Sequence, residues 1–170
     1  MRKRSTVAAL VALVLLSACA APGGRGPRPI EPVHVAEARD AGDAQRRAST
    51  RLVLEALDAE IRERPEQAIG LLQSALQVDP TNPWAYLVLA RSRAEGAQPA
   101  TAIPALDQAQ SRLLAEGELD PRAEVHLVGI RGLALARSGQ PERGRALLAD
   151  AALRAPGVWG DGRLDARELR

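Results

Sequence analysis

Aromatic residues are scarce in this chain of 170 residues, which has no phenylalanine and whose only aromatic side chains are Trp84, Tyr86 and Trp159. A hydrophobic core must therefore be built from Leu, Val, Ile and Ala. Such a core suits closely packed helices better than a β-sandwich, since strands are enriched in aromatic and β-branched residues. The composition favours an all-α fold, and the length fits one domain.

Cysteine and histidine are nearly as scarce, which bears on catalysis and metal binding. Cys19 is the only cysteine, so neither an internal disulfide nor a cysteine-based metal site can form. His34 and His126 are far apart, and we expect His126 to lie on a helix surface. The segment 161–165 resembles a calcium loop, but an arginine stands where an oxygen ligand is needed. With no phosphate loop and no Gly-x-Ser-x-Gly turn, the sequence predicts no enzyme, metal site or cofactor.

The charges are almost balanced, with 23 basic and 21 acidic residues. Three of the basic residues, Arg2, Lys3 and Arg4, lie in a segment with the composition of a signal peptide. Its removal would leave 20 basic residues against 21 acidic ones. The sequence therefore predicts no nucleic-acid partner.

The amino-terminal segment has the three parts of a secretory signal peptide. A basic start is followed by an apolar run over 7–16 and by small residues just before Cys19. The run is too short to remain as a membrane span, which needs about 20 apolar residues. The quartet Leu-Ser-Ala-Cys that ends at Cys19 resembles the lipobox of bacterial lipoproteins. The alternative is an ordinary secretory signal that ends in cysteine by chance.

The lipobox resemblance implies a covalent modification and a location. It implies that 1–18 is a cleaved signal peptide and that Cys19 carries a thioether-linked diacylglycerol, usually with a further acyl chain on the new amino terminus. Two or three chains anchor a protein stably, because each buried methylene adds about 0.8 kcal/mol. The residue after Cys19 is Ala20 rather than an acidic residue. In lipoproteins this implies sorting to the outer membrane, with the protein facing the periplasm.

Two further segments precede the main helical part. The stretch 19–32 is rich in proline and glycine and predicts a flexible tether. The stretch 33–48 predicts a short helical segment that ends at Gly42, with Asp43 capping the next helix.

One pattern, Pro-x-x-(Ala/Gly)-x-x-x-Leu-x-x-Ala, occurs three times in the remaining sequence. It begins at Pro65, returns 34 residues later at Pro99 and 42 residues after that at Pro141. The second spacing is eight residues longer than the first, and we expect these extra residues to lie around 113–120. The small positions are Ala68, Ala102 and Gly144. The pattern predicts helices that approach their neighbours closely at the small residue and fill the space between them with leucine. A generic Ala- and Leu-rich bundle is the alternative.

The pattern resembles the tetratricopeptide repeat, a family of helix pairs with a 34-residue period. The resemblance covers about 49–156 and implies an all-α, short α-solenoid of about three helix pairs. The segment 157–170 would then be a terminal cap or tail, with Trp159 covering the open end of the stack.

The resemblance also implies a groove lined by the first helix of each pair, which binds an extended peptide or a partner's helix. Trp84 is the strongest candidate because aromatic residues dominate interface hot spots, but it could equally pack against the preceding repeat. The candidate groove residues are Asn82, Trp84, Leu87, Arg91, His126 and Leu133, with Thr50, Val53, Leu57 and Gly129 at further groove positions.

The expected function is therefore binding. The interpretation is an envelope lipoprotein that acts as an interaction scaffold or assembly factor, in pilus, secretion or cell-wall machinery. Its partner would be a protein or peptide, its membrane contact the lipid anchor, and no small-molecule substrate is indicated. The alternative is a permanent structural subunit of an envelope complex.

Overall fold

The computed structural model describes residues 28–170, so Cys19 and the predicted signal peptide lie outside the described residues. The described part is helical and contains no strand. Its α-helices are α1 (Ala44–Ile61), α2 (Pro65–Val78), α3 (Pro83–Glu95), α4 (Ala102–Glu116), α5 (Pro121–Arg137), α6 (Pro141–Arg154), α7 (Pro156–Trp159) and α8 (Ala166–Leu169). Two 3-10 turns, Val35–Ala38 and Pro99–Thr101, precede α1 and α4.

Proline and polar caps define the helix starts. Helices α2, α3, α5 and α6 each have proline in the first turn, where its missing N–H is not needed. Asp120 accepts a hydrogen bond from the Ala123 N–H at 2.8 Å. Asp43 accepts from the Arg46 N–H at 2.8 Å, and Gly42 before it has φ +76°. The predicted cap at Asp43 is confirmed, but the preceding helical segment ends at Ala38 and not at the predicted Gly42.

The six longer helices pack as the consecutive pairs α1–α2, α3–α4 and α5–α6. The small residues predicted at the close approaches lie there: Ala68, Ala102 and Gly144 are all buried. A Cβ atom on Gly144 would lie 2.4 Å from the Ala136 backbone nitrogen on α5. The all-α solenoid of three pairs is confirmed.

The eight extra residues of the last repeat are divided between two helices. Pro99 lies 22 positions before Pro121, whereas Pro65 lies 18 positions before Pro83. Pro121 lies 20 positions before Pro141, whereas Pro83 lies 16 before Pro99. Four residues, about one helical turn, are thus added before α5 and four more within the span of α5 and its turn. The prediction that placed all eight around 113–120 was half right.

The turns inside the first and last pairs share a left-handed residue two positions before the proline. Gly139 supplies it in the α5–α6 turn with φ +90°. Glu63 occupies the same place in the α1–α2 turn with φ +59°. Because left-handed backbone is costly for residues other than glycine, Glu63 holds an unfavourable backbone conformation in the turn of the first pair.

Candidate functional site

The predicted groove corresponds to one continuous surface, the side of α1, α3 and α5 that faces neither α2, α4 nor α6. We call it the first-helix face and define it by Val53, Leu57, Leu87, Arg91, Gly129 and Leu133. Its apolar side chains are covered: Val53, Leu57 and Leu87 are fully buried, and Leu133 is 7% exposed. The expectation of an open groove is therefore wrong for this structure.

Two of the polar groove candidates belong to a buried network between repeats. The Asn82 side-chain amide donates to Ser49 Oγ at 2.9 Å and to Thr50 Oγ1 at 3.2 Å. Its Oδ1 accepts from the Trp84 N–H at 3.0 Å, which caps α3. Ser49 in turn donates to the Ala75 carbonyl at 2.8 Å. Asn82 and Thr50 therefore fasten α3 to α1 and α2 and are not available to a partner.

Trp84 could either contact a partner or pack against the preceding repeat, and its exposure of 5% favours packing. It lies in the first turn of α3, next to the cap residue Asn82. The side chain buries its large apolar surface within this chain, so the structure does not place Trp84 as an exposed hot spot.

A segment from the amino-terminal side, residues 30–41, covers one end of the first-helix face, and we call it the strap. The Ile30 N–H donates to the Arg154 carbonyl at 2.7 Å, and Pro32 is buried. Arg122 of α5 donates to the Glu31 carbonyl at 2.9 Å and pairs with Glu37 at 2.8 Å. The predicted tether thus ends earlier than Pro32, because the chain is docked from Ile30 onward.

Residues 157–170, the C-terminal tail, cover the rest of the face. The Trp159 ring lies directly over Gly129, where an added Cβ would be 2.3–2.5 Å from three ring carbons. Trp159 and Leu169 are fully buried, and Leu164 is nearly so. Its ring fills a depression on α5, in the last helix pair, that only glycine leaves open. That Trp159 covers the open end of the stack stays a prediction.

Polar contacts fix the tail along α3 and α1. Arg91 Nε donates to the Leu164 carbonyl at 2.7 Å, and the same guanidinium pairs with Glu60. At the far end, Arg170 makes a two-pronged ion pair with Asp58, with one contact at 2.8 Å. The hydrogen bonds from Arg170 lower the pKa of Asp58. Arg91, a predicted partner-binding residue, is therefore already occupied by this chain.

His126 lies where strap and tail meet on α5. It is fully buried, so the predicted surface position is wrong. Its Nε2 lies 3.0 Å from the Val33 carbonyl, and its ring centroid is 6.3 Å from that of Trp159. Burial lowers the pKa of His126 to about 4, outweighing the opposite effect of the Val33 contact. The side chain is neutral at pH 7 and, from the contact with the carbonyl, carries its proton on Nε2.

Two buried polar atoms in this region lack partners. His126 Nδ1 and Trp159 Nε1 are enclosed and have no hydrogen bond within residues 28–170. A buried unpaired group forfeits its hydration without compensation. The tail therefore fits the first-helix face well in shape but incompletely in hydrogen bonding.

A second polar cluster, around Arg46, lies at the start of α1. Its guanidinium pairs with Asp79 after α2 and with Glu116 of α4, the latter at 2.7 Å. Thr81 donates to Asp79 Oδ1 at 2.6 Å. Burial alone would raise the pKa of Asp79, but the bonds from Thr81 and Arg46 lower it. Arg46, Asp79 and Glu116 each pair with a residue of another element, so these three side chains connect neighbouring repeats.

Some surface does remain open. A cleft of about 840 Å³ lies between the α1–α2 and α3–α4 turns, with Pro65, Ile69 and Glu95 among its walls. Leu114 of α4 and Leu153 of α6 are 68% and 80% exposed. Within residues 28–170 no helix is long and apolar enough to cross a bilayer, and no cluster of His, Cys, Asp or Glu could hold a metal ion.

Comparison with known families gives one match. Residues 61–113 match the tetratricopeptide repeat family model. The match runs from the end of α1 to Leu113 in α4, so it includes the 34-residue return of the proline pattern. The third pair, α5–α6, lies outside the match and extends the same pairing of helices. No curated protein and no solved structure matches the chain.

The residues that cover the first-helix face were missed by the sequence analysis. Leu164, Leu169 and Arg170 gave no extended helical pattern, because they lie within or beside the four-residue helix α8, in a segment that is otherwise irregular. The available signal was a spacing: leucines stand five and ten positions after Trp159. An apolar residue every five positions matches neither a helix nor a strand, and it fits a chain that crosses successive helices.

Proposed function

We propose that this chain is a lipid-anchored interaction scaffold or assembly factor of the bacterial cell envelope, facing the periplasm from the outer membrane. The observation that carries the scaffold role is the tetratricopeptide repeat match over 61–113, because stacked helix pairs of this kind present extended binding surfaces. The described residues add no constellation that favours catalysis or metal chemistry.

The location rests on the quartet that ends at Cys19. The thiol would carry the lipid, and the proline- and glycine-rich stretch up to about residue 29 would connect the anchor to the docked strap. Such a link raises the local concentration of the binding surface at the membrane, so that weak contacts become sufficient.

The anchor is tested by fractionating cells that express the wild-type chain or Cys19→Ser. We expect the wild type in the outer-membrane fraction, and the variant uncleaved or released from that fraction. Ser5→Ala, outside the quartet, is the control and should behave as wild type. A Cys19→Ser chain that is processed normally and stays with the outer membrane would refute the anchor.

The scaffold role is tested by crosslinking in intact cells followed by capture from detergent-solubilised envelope. A scaffold gives a reproducible envelope partner at less than one copy per chain, and the contact is lost on washing without crosslinker. A one-to-one complex that survives washing would instead identify a permanent subunit. No reproducible partner at all would contradict both roles.

A further inference from the structure

The covering of the first-helix face suggests what that face binds. The C-terminal tail crosses it from α5 to α3 to α1, placing Trp159 over Gly129, the Leu164 carbonyl on Arg91 and Arg170 on Asp58. One short segment thus contacts the first helix of all three pairs. This is how an extended peptide would lie on such a surface.

We propose that the first-helix face is a peptide-binding surface which the C-terminal tail occupies as an internal ligand, and that its partner is a protein segment with the tail's own pattern. That pattern is an aromatic residue, leucines five and ten positions later, and a basic residue directly after the second leucine. The inference rests on the proposed scaffold role and names the partner chemistry and its regulation.

The face has a complementary site for each element of the pattern. Gly129 leaves room for an aromatic ring that any larger residue would exclude. Arg91 donates to a backbone carbonyl, which requires no particular side chain. Asp58 accepts a two-pronged bond from an arginine, a geometry that favours a guanidinium over an ammonium group.

The tail has the features of a displaceable ligand. Its helices α7 and α8 have four residues each, too few to be stable alone, and the segment that connects them contains Gly160 and Gly162. Release would also return Trp159 Nε1 and His126 Nδ1, which are unpaired within the described residues, to water. A partner that supplies a donor to His126 Nδ1 would fit this position better than the tail does.

The test uses the full chain in detergent and a fluorescein-labelled peptide of residues 157–170 as the probe. Leu164→Asp with Leu169→Asp should release the tail. We expect this double variant to bind the peptide roughly tenfold or more tightly than the wild type, since the tail lowers the fraction of competent chains. Leu114→Asp with Leu153→Asp, which changes two exposed leucines in the same way, is the matched control and should keep the wild-type affinity.

Two further variants locate the binding. In the tail-released chain, Gly129→Ala should weaken peptide binding about tenfold or more, because its methyl group occupies the ring position. A peptide in which alanine replaces Trp159 should bind no better than a scrambled peptide.

Three outcomes would overturn the proposal. Equal peptide affinity for wild type and tail-released chain would show that the tail does not compete. Loss of helical circular dichroism in the tail-released chain, with the control still folded, would make the tail a required part of the core. A wild-type dimer with exchanged tails would make a second copy the occupant. In each case capture of an envelope partner would be unaffected if the scaffold role is correct, so the two proposals fail separately.

Discussion

Helix α5 uses glycine on two sides, and the two contacts differ in what packs against them. On one side, a Cβ on Gly132 would lie 3.0 Å from the Leu148 backbone nitrogen of α6. On the other, Gly129 receives the ring of Trp159. The first contact joins two helices of one repeat, and the second joins a repeat to the tail. Glycine thus allows the close approach of α6 on one side of α5 and of the tail on the other.

The packing of paired helices and the covering of the first-helix face should therefore respond to different perturbations. Contacts between paired helices recur along the chain and support one another. The contacts of the strap and of the tail are made once each, and the two segments meet at His126, which lies next to Val33 and Trp159. We expect the covered face to open before the pairs separate.

Acid should produce the largest effect on the covered side. The folded pKa of His126 is lowered to about 4 from an ordinary value near 6.5. The folded state therefore binds fewer protons than the unfolded state between these values. The stability gained from the neutral ring is complete above pH 6.5 and is lost as the pH falls towards 4, a change of about 3 kcal/mol.

Denaturant unfolding at pH 7 and pH 4.5 measures this loss. His126→Gln, which keeps an N–H donor but does not titrate, should show a clearly smaller difference between the two pH values than the wild type. An equal difference in both chains would mean that His126 is not buried and neutral in the folded state.

Gly144→Ala should have the next largest effect, on the repeat side. The added methyl group would meet α5 backbone atoms at 2.4–2.6 Å, so the helices must separate. We expect a loss of about 1–3 kcal/mol in unfolding free energy, as for other overpacked cores. The matched control is Gly70→Ala on the exposed side of α2, where nothing lies within 4 Å. It should be stabilising by roughly 0.5–1 kcal/mol, and similar effects at both glycines would contradict the α5–α6 contact.

Glu63→Gly should give the smallest effect, a gain of about 0.5–1 kcal/mol from removing a left-handed non-glycine residue. The side chain is exposed and φ is +59°, so relief of backbone strain dominates. Thermal unfolding of this variant, beside Glu66→Gly within α2 as the destabilising control, measures the gain. A decrease for Glu63→Gly would mean that the α1–α2 turn differs from the α5–α6 turn.

The sequence predicted the parts of the fold that depend on local signals. Proline at the helix starts, Asp43 as a cap and the small residue of each repeat act within one turn or one helix pair. They are therefore visible as spacing. The division of the eight extra residues between α4 and α5 could not be predicted in this way. A repeat pattern gives the number of residues between units, but it does not show which helix is longer.

The covered face could not be predicted from the same signals. Whether His126 or Trp84 is exposed depends on what packs over a helix. The covering contacts here join residues far apart in sequence, such as Arg170 with Asp58. Spacing predicted which residues share the first-helix face, and the contacts that close it come from segments outside the repeats.

The central claim is that the chain closes its own first-helix face, and amide hydrogen exchange of the full chain tests it most directly. We expect amides between Trp159 and Leu169 to exchange well below the rate of the isolated 157–170 peptide, and Gly129→Ala to raise their exchange while α2 and α4 stay protected. Tail amides that exchange in the wild-type chain as fast as in the isolated peptide would contradict it.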